Sequence, residues 1–358
     1  MYGRVVVYVA ALLLLAVVAG VVTWRLLGTS SPYEQAFHTL PAETLRSTYT
    51  DWGHVRTAAG GSGLGSTSSK ASITSWLGRA YDRDLTAGSA IAESTFALRE
   101  RFGFSPLDAE WEAFGQGREG QVDVLRLPDD VDLDGVEGTL RKLGYTAPRG
   151  GAGSGGTWVG GVDLVAQIDS ELTPVQQNIV VLPDDHLVLM SDNAAFASSA
   201  AEVIDGSADS LADQDGVSEL AAAANEAVAA VQWASTFACE DLSMGAADEG
   251  DQSTGERLVQ EAGDISPVEG LVMAQRADRS LVLGMHFETS DAASRNLQSR
   301  VDLASGEAPG QGGTFAERFE LASGEADGSD VVITTDPVSK DAAVLSDLSS
   351  GPVLFATC

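Results

Sequence analysis

Three aspartates alternate through 127-LPDDVDLDGVEG-138, at Asp130, Asp132 and Asp134, and Gly135 follows them. This is how a calcium-binding EF-hand loop opens: oxygen ligands at positions 1, 3 and 5, glycine at 6, and a bidentate glutamate at 12. With Asp130 at position 1, position 12 is Arg141, a cation where the strongest anionic ligand belongs. Position 8 is Glu137 instead of an apolar packing residue, and a strand pattern precedes the loop where an EF-hand has a helix. Helix capping accounts for more of the pattern. Val136, Leu140 and Leu143 recur at helical spacing after Pro128. Asp132 or Asp134 would accept a hydrogen bond from an unpaired N–H of the first turn, worth ~1 kcal/mol. The remaining acids suit the positive end of the helix dipole. Asp130, Asp132 and Asp134 stand as the chain's one calcium candidate, with capping as the reading that explains more.

No other motif assembles a reaction. Gly151-Ala152-Gly153-Ser154-Gly155-Gly156 satisfies G-x-G-x-x-G. A dinucleotide site, however, needs a strand just before and a helix just after. Pro148-Arg149 and Thr157-Trp158-Val159 stand there instead, so the segment reads as a flexible loop. There is no G-x-S-x-G, and Thr67-Ser68-Ser69-Lys70 misses Ser-x-x-Lys at its first residue. The histidines at 38, 54, 186 and 286 have no metal-ligand spacing. Acid pairs such as Glu240-Asp241 and Asp248-Glu249 are neighbours expected by chance among 52 acids. Leu40-Pro41-Ala42-Glu43-Thr44 imitates a sortase signal but lies far from the C-terminus. Cys239 and Cys358 are the only cysteines, and both close apparent strands, QWASTFAC and PVLFATC. As a disulfide outside the reducing cytoplasm they would close a long loop, worth up to ~4–5 kcal/mol in the chain-entropy model. A Cys358 nucleophile with His286 as its base competes for the same sulfur.

The elements that would carry these residues follow an anchor. Val5 to Trp24 is free of charge and long enough, at 1.5 Å per residue, to span about 30 Å of hydrocarbon. It exceeds the core of a cleavable signal peptide, and no cysteine follows to make a lipoprotein. The expected layout is a cytoplasmic N-terminus over 1–4, a transmembrane signal-anchor over 5–27, a juxtamembrane linker over 28–39, and an extracytoplasmic body. The formal charge is −31, from 21 Lys and Arg against 52 Asp and Glu. Residues 1–30 contain Arg4 and Arg25 and no acid, so the whole imbalance falls on the body. A body that negative is repelled by nucleic-acid phosphates and by anionic headgroups, which makes both poor partners for it.

Within the body, period-2 and period-3.6 patterns alternate between Gly/Ser-rich stretches at 59–69, 150–156, 245–256 and 305–313, which read as loops. Strands are expected at 44–50, 110–116, 121–127, 178–182, 186–191, 271–277, 281–288 and 331–336, with a last one at 352–358. Helices are expected at 71–85, 90–102, 194–204, 218–231, 291–301 and 341–348. Pro183-Asp184-Asp185 and Asp278-Arg279 mark hairpins. An internal correspondence runs at an offset of 157, pairing Asp134 with Asp291 and Gly155-Gly156-Thr157-Trp158 with Gly312-Gly313-Thr314-Phe315. It resumes at 144, where 188–192 meets 332–336. The fold class is α+β: two similar modules, 40–206 and 207–358, each an antiparallel sheet with helices packed on one face.

Four segments together resemble a group of uncharacterised, membrane-anchored extracytoplasmic proteins of GC-rich Gram-positive bacteria. They are LPAETLRSTYTDWGHVR (40–56), RFGFSPLDAEWEAF (101–114), LRLPDDVDLDGVEGTLRKLGY (125–145) and LVLMSDNAAF (187–196). The resemblance covers most of 40–200 and implies location and architecture, with no catalytic residue to carry over. The expectation is a cell-envelope binding or interaction protein, not an enzyme. It requires no cofactor or metal, sits in the membrane through its N-terminal helix, and engages another envelope protein or a small ligand. The alternatives are an envelope hydrolase with a dispersed active site, or a divalent-cation-binding acidic surface.

Overall fold

The computed structural model describes residues 31–358 apart from 66, 264, 340 and 341. The expected cytoplasmic segment 1–4, the expected anchor 5–27 and the start of the expected linker lie outside the described residues. Among the described residues no helix is long and apolar enough to cross a membrane.

The chain is α+β, built on one antiparallel sheet. In chain order the elements are α1 (Pro32–Phe37), β1 (Arg46–Thr50), α2 (Trp52–Ala58), α3 (Lys70–Tyr81), β2 (Trp111–Gln116), β3 (Gln121–Arg126), α4 (Leu133–Leu143), β4 (Trp158–Val159), α5 (Val162–Ile168), β5 (Asn178–Leu182), β6 (Leu187–Ser191) and α6 (Ala194–Ile204). There follow α7 (Val217–Ala224), β7 (Ala227–Ala234), α8 (Phe237–Asp241), α9 (Glu249–Ala262), β8 (Gly270–Arg276), β9 (Leu281–His286), α10 (Ser290–Leu303), β10 (Phe319–Asp327), β11 (Asp330–Pro337) and α11 (Val344–Ser349). The strands lie in the order β10-β11-β9-β8-β7-β1-β2-β3-β6-β5-β4. From the central pair outward, β1-β2-β3-β6-β5 and β7-β8-β9-β11-β10 take the same path.

The expected pair of sheets is thus one continuous sheet, joined where β1 pairs with β7 from Arg46↔Trp233 to Thr50↔Ala229. Helices cover both of its faces, not one. On the first face, α2, α3 and α4 seal the side chains of Phe114, Leu125 and Val188, while α8, α10 and α11 seal those of Val231, Met273 and Ile333. On the second face a single core spans both halves under α1, α6 and α7, with Val124, Leu189 and Val272 in it. The reason is written in the strands. NIVVL, LVLMS and AVAAVQWA are apolar at both parities, the signature of strands buried on both sides, and all eight residues of β7 are buried.

Several expected elements change. The alanine-rich run 218–231 reads as one helix by propensity, yet α7 ends at Ala224 and 227–234 is the central strand. Pairing with β1 and β8 on its two sides outweighs intrinsic preference. Segment 245–256 is not a loop: Asp248 caps α9 by accepting from Gly250 and Asp251 N–H, both at 2.9 Å. Residues 352–358 form a 3-10 turn at Leu354–Ala356 instead of a strand, and Cys239 lies in α8. Of 90–102 only 95–102 is helical, its last part π. The end of the supposed linker forms α1, whose capping box joins Ser31 to Glu34 and whose Tyr33 and Phe37 are buried. The 157 offset agrees with the caps, Asp132 for α4 and Thr289 for α10. The 144 offset does not. It sets Val188, on the first face, against Val332, which packs on the second, whereas 143 matches Val188 to Val331 face to face.

The segment 82–94 crosses the middle of the first face and ties the halves together. Asp84 accepts from Leu345 N–H at 2.8 Å and Ser346 N–H at 3.1 Å, beyond the seam. Gly88 lies so close to β1 that an added Cβ would stand 2.2 Å from the Tyr49 carbonyl oxygen. The C-terminus is fastened by the Cys239–Cys358 disulfide, with Cα atoms 5.6 Å apart across 119 positions. It is also held by fully buried Arg300, which donates to the carbonyls of Phe355 (2.8 Å), Thr357 (2.6 Å) and Ser266 (2.5 Å).

Candidate functional site

The 127–138 segment leads into α4 as a cap. Asp132 Oδ1 accepts from Gly135 N–H at 2.9 Å, and Asp134 sits exposed in the first turn. Arg141, at the position of the missing calcium ligand, stacks over the Trp158 ring with its guanidinium 5.5 Å from the centroid. Glu137 turns inward and accepts from Gly153 N–H at 2.8–2.9 Å and from Trp158 Nε1–H at 3.2 Å. The glycine-rich loop is therefore pinned to α4. Among the described residues no group of three or more His, Cys, Asp or Glu side chains is placed to hold a metal ion.

Asp130 and Asp132 do have a place in the surface. With Lys70, Arg99, Glu100 and Asp108 they line an open cleft of about 730 Å3. One wall is the start of α3, where Ser69 caps the helix by accepting from Ser72 N–H at 3.2 Å. The adjoining wall is the π-turn Leu98–Phe102, which ends at Gly103 with φ 87°, a left-handed conformation suited to glycine. Arg99 ties the two walls by donating to Ser68 O at 2.9 Å, and the Lys70 ammonium rests over the Phe96 ring at 4.5 Å. Asp108 takes the Ser105 hydroxyl at 2.9 Å; burial raises its pKa against that bond and the charges of Arg56 and Arg99. A second groove, of about 570 Å3, opens at the seam between the halves beside Leu45, Phe196 and Gln214. Across that seam Arg118 meets Glu240 at 3.3 Å.

The chemically most unusual pair belongs to no sequence motif. Glu112 on β2 and Asp123 on β3 are both fully buried on the first face. Glu112 accepts from Trp52 Nε1–H and the Ser89 hydroxyl, both 2.8 Å, and from Ala90 N–H at 2.6 Å. Burial nonetheless pushes its carboxyl up to about 7, with those bonds pulling the other way. Among the described residues Asp123 has no hydrogen-bond partner beyond the adjacent Glu112 carboxyl. Burial first, and then the charge of Glu112, raise it well above the usual carboxylate range. The pair keeps a proton because two bare carboxylates cannot share a dry site. Alternation within WEAFGQ and QVDVLRL was the available signal, for it places Glu112 with Phe114 and Asp123 with Leu125 on the core side.

The remaining candidates are separate. His54 meets Asp51 (3.4 Å), His186 meets Asp129 (3.4 Å), His286 meets Asp330 (2.6 Å), and His38 approaches the Ser210 hydroxyl (3.4 Å). Glu240 and Asp241 turn to different partners, Asp241 accepting from Trp233 Nε1–H at 2.6 Å. The sulfur of Cys358 is committed to the disulfide, which removes it as a nucleophile for His286.

The sequence matches no protein-family model and no curated protein. Among solved structures the chain is similar to crystal form I of TP0453, at 8% identity and a TM-score of 0.38 over 90% of this chain and 100% of that one. Crystal form III of TP0453 gives 8% and 0.38 over 87% and 97%. That likeness is too loose to bear on function.

Proposed function

We propose that this chain is a membrane-anchored, extracytoplasmic binding protein of the cell envelope, built from a duplicated α+β module and working without covalent chemistry. The observation that carries the binding reading is the open cleft at the start of α3, where charged groups of both signs converge around space sized for a ligand. The Cys239–Cys358 bond supports a location outside the reducing cytoplasm. The matching strand paths from β1 and β7 support the duplication. The apolar stretch 5–24 supports the anchor.

A reporter enzyme fused after Cys358 tests location: activity only outside the cytoplasm is expected, and activity only inside would overturn it. In-cell crosslinking with mass spectrometry tests the role. Recovery of envelope partners or a bound small molecule supports it, and exclusively cytoplasmic partners would remove it.

A further inference from the structure

We infer that the cleft between the start of α3 and the approach to α4 takes a small zwitterion, a free amino acid or short peptide with unblocked ends. Its carboxylate would lie against Lys70 and Arg99, and its ammonium against Asp130. This deepens the binding role proposed above and rests on it.

Charge on the walls comes first. The protein carries 21 basic residues against 52 acids, and two of the basic side chains, Lys70 and Arg99, line this cleft. Of its four acids, Asp132 is used as the cap of α4 and Asp108 is engaged with Ser105. That leaves Asp130 to share the cleft with Lys70 and Arg99, while Glu100 follows Arg99 on the π-turn itself. Lys70, Glu100 and Asp130 make no ion pair among the described residues, although the cleft places them around one space. A surface free to relax would let such opposite charges meet.

Their supports keep them apart. Lys70 is the first residue of a 12-residue helix, and its ammonium is parked over Phe96. Arg99 is fixed by Ser68 O within the π-turn. Asp130 is carried by the opposite wall, between Pro128 and the cap of α4. The helix start adds positive potential on the same side as Lys70 and Arg99. A ligand with separated charges satisfies both walls at once, whereas a simple anion or cation satisfies one and faces repulsion from the other.

The test titrates the full-length chain in detergent with alanyl-alanine, its N-acetyl form and its C-terminal amide, by calorimetry. Tightest binding of the unblocked dipeptide, with each blocked form at least tenfold weaker, supports the inference. So does a tenfold or greater loss for Lys70→Met, and for Asp130→Asn a loss of discrimination against the N-acetyl form. Equal binding of all three forms, or dipeptide binding unchanged in both variants, overturns it. No heat with any form, while crosslinking in cells still recovers an envelope partner, rejects this ligand class and leaves the binding role standing. No heat together with exclusively cytoplasmic partners removes both.

Discussion

Asp123→Asn should raise the stability of this protein at pH 8 and weaken its dependence on pH. The folded state holds Glu112 at about 7 against an ordinary 4.5. Raised carboxyls make their full contribution at low pH and lose it as pH climbs from the unfolded value through the folded one. At 1.36 kcal/mol per unit, Glu112 alone removes ~3 kcal/mol between about pH 4.5 and 7. Asp123 shifts in the same direction and adds to the loss. Its cost has no offset from donors, since its oxygens are sealed from water beside another carboxyl. Asparagine keeps the shape, removes the proton requirement, and offers an N–H to Glu112. A gain on the order of 2 kcal/mol at pH 8, shrinking toward zero at pH 5, is expected from relieving a buried, unpaired acid. Urea unfolding at the two pH values, followed by tryptophan fluorescence, measures both numbers. Trp52, which donates to Glu112, is a built-in probe. A variant less stable than the parent at pH 8, or one with an unchanged difference between the two pH values, would refute the reasoning.

Four further outcomes follow from the packing. Replacing both Cys239 and Cys358 with serine should cost up to ~4–5 kcal/mol and lower the melting temperature measured by calorimetry. Arg300→Met should cost ~3 kcal/mol by stranding the buried Phe355 carbonyl and the half-buried carbonyls of Thr357 and Ser266, with faster amide exchange over 353–358. Gly88→Val should cost more than ~2 kcal/mol, because its Cβ would collide with the Tyr49 carbonyl; the denaturation midpoint reports it. Asp132→Ala should cost ~1 kcal/mol as a lost cap, with the same loss whether or not millimolar calcium is present; a calcium-dependent loss would restore the metal reading.

Local patterns were legible wherever one short-range rule acted alone. The cap at Asp132 followed from spacing, and the hairpins at 183–185 and 278–279 from turn chemistry. The α+β class followed from alternating periods, and the Cys239–Cys358 bond from there being no other cysteine to pair. The residues 187–191 and 194–204 took the expected forms because pattern, propensity and turn signals agree there. What tertiary structure alone decided was pairing and sidedness. Whether β1 meets β7 to fuse two sheets into one depends on contacts nearly 200 residues apart, which no local rule encodes. The same pairing turned an alanine-rich helix former into the central strand, since burial on two faces outweighs a few tenths of a kcal/mol per residue. It also brought Glu112 beside Asp123, and Lys70 across from Asp130. Each is an ordinary charged residue in its own stretch of chain, and only the fold makes them neighbours.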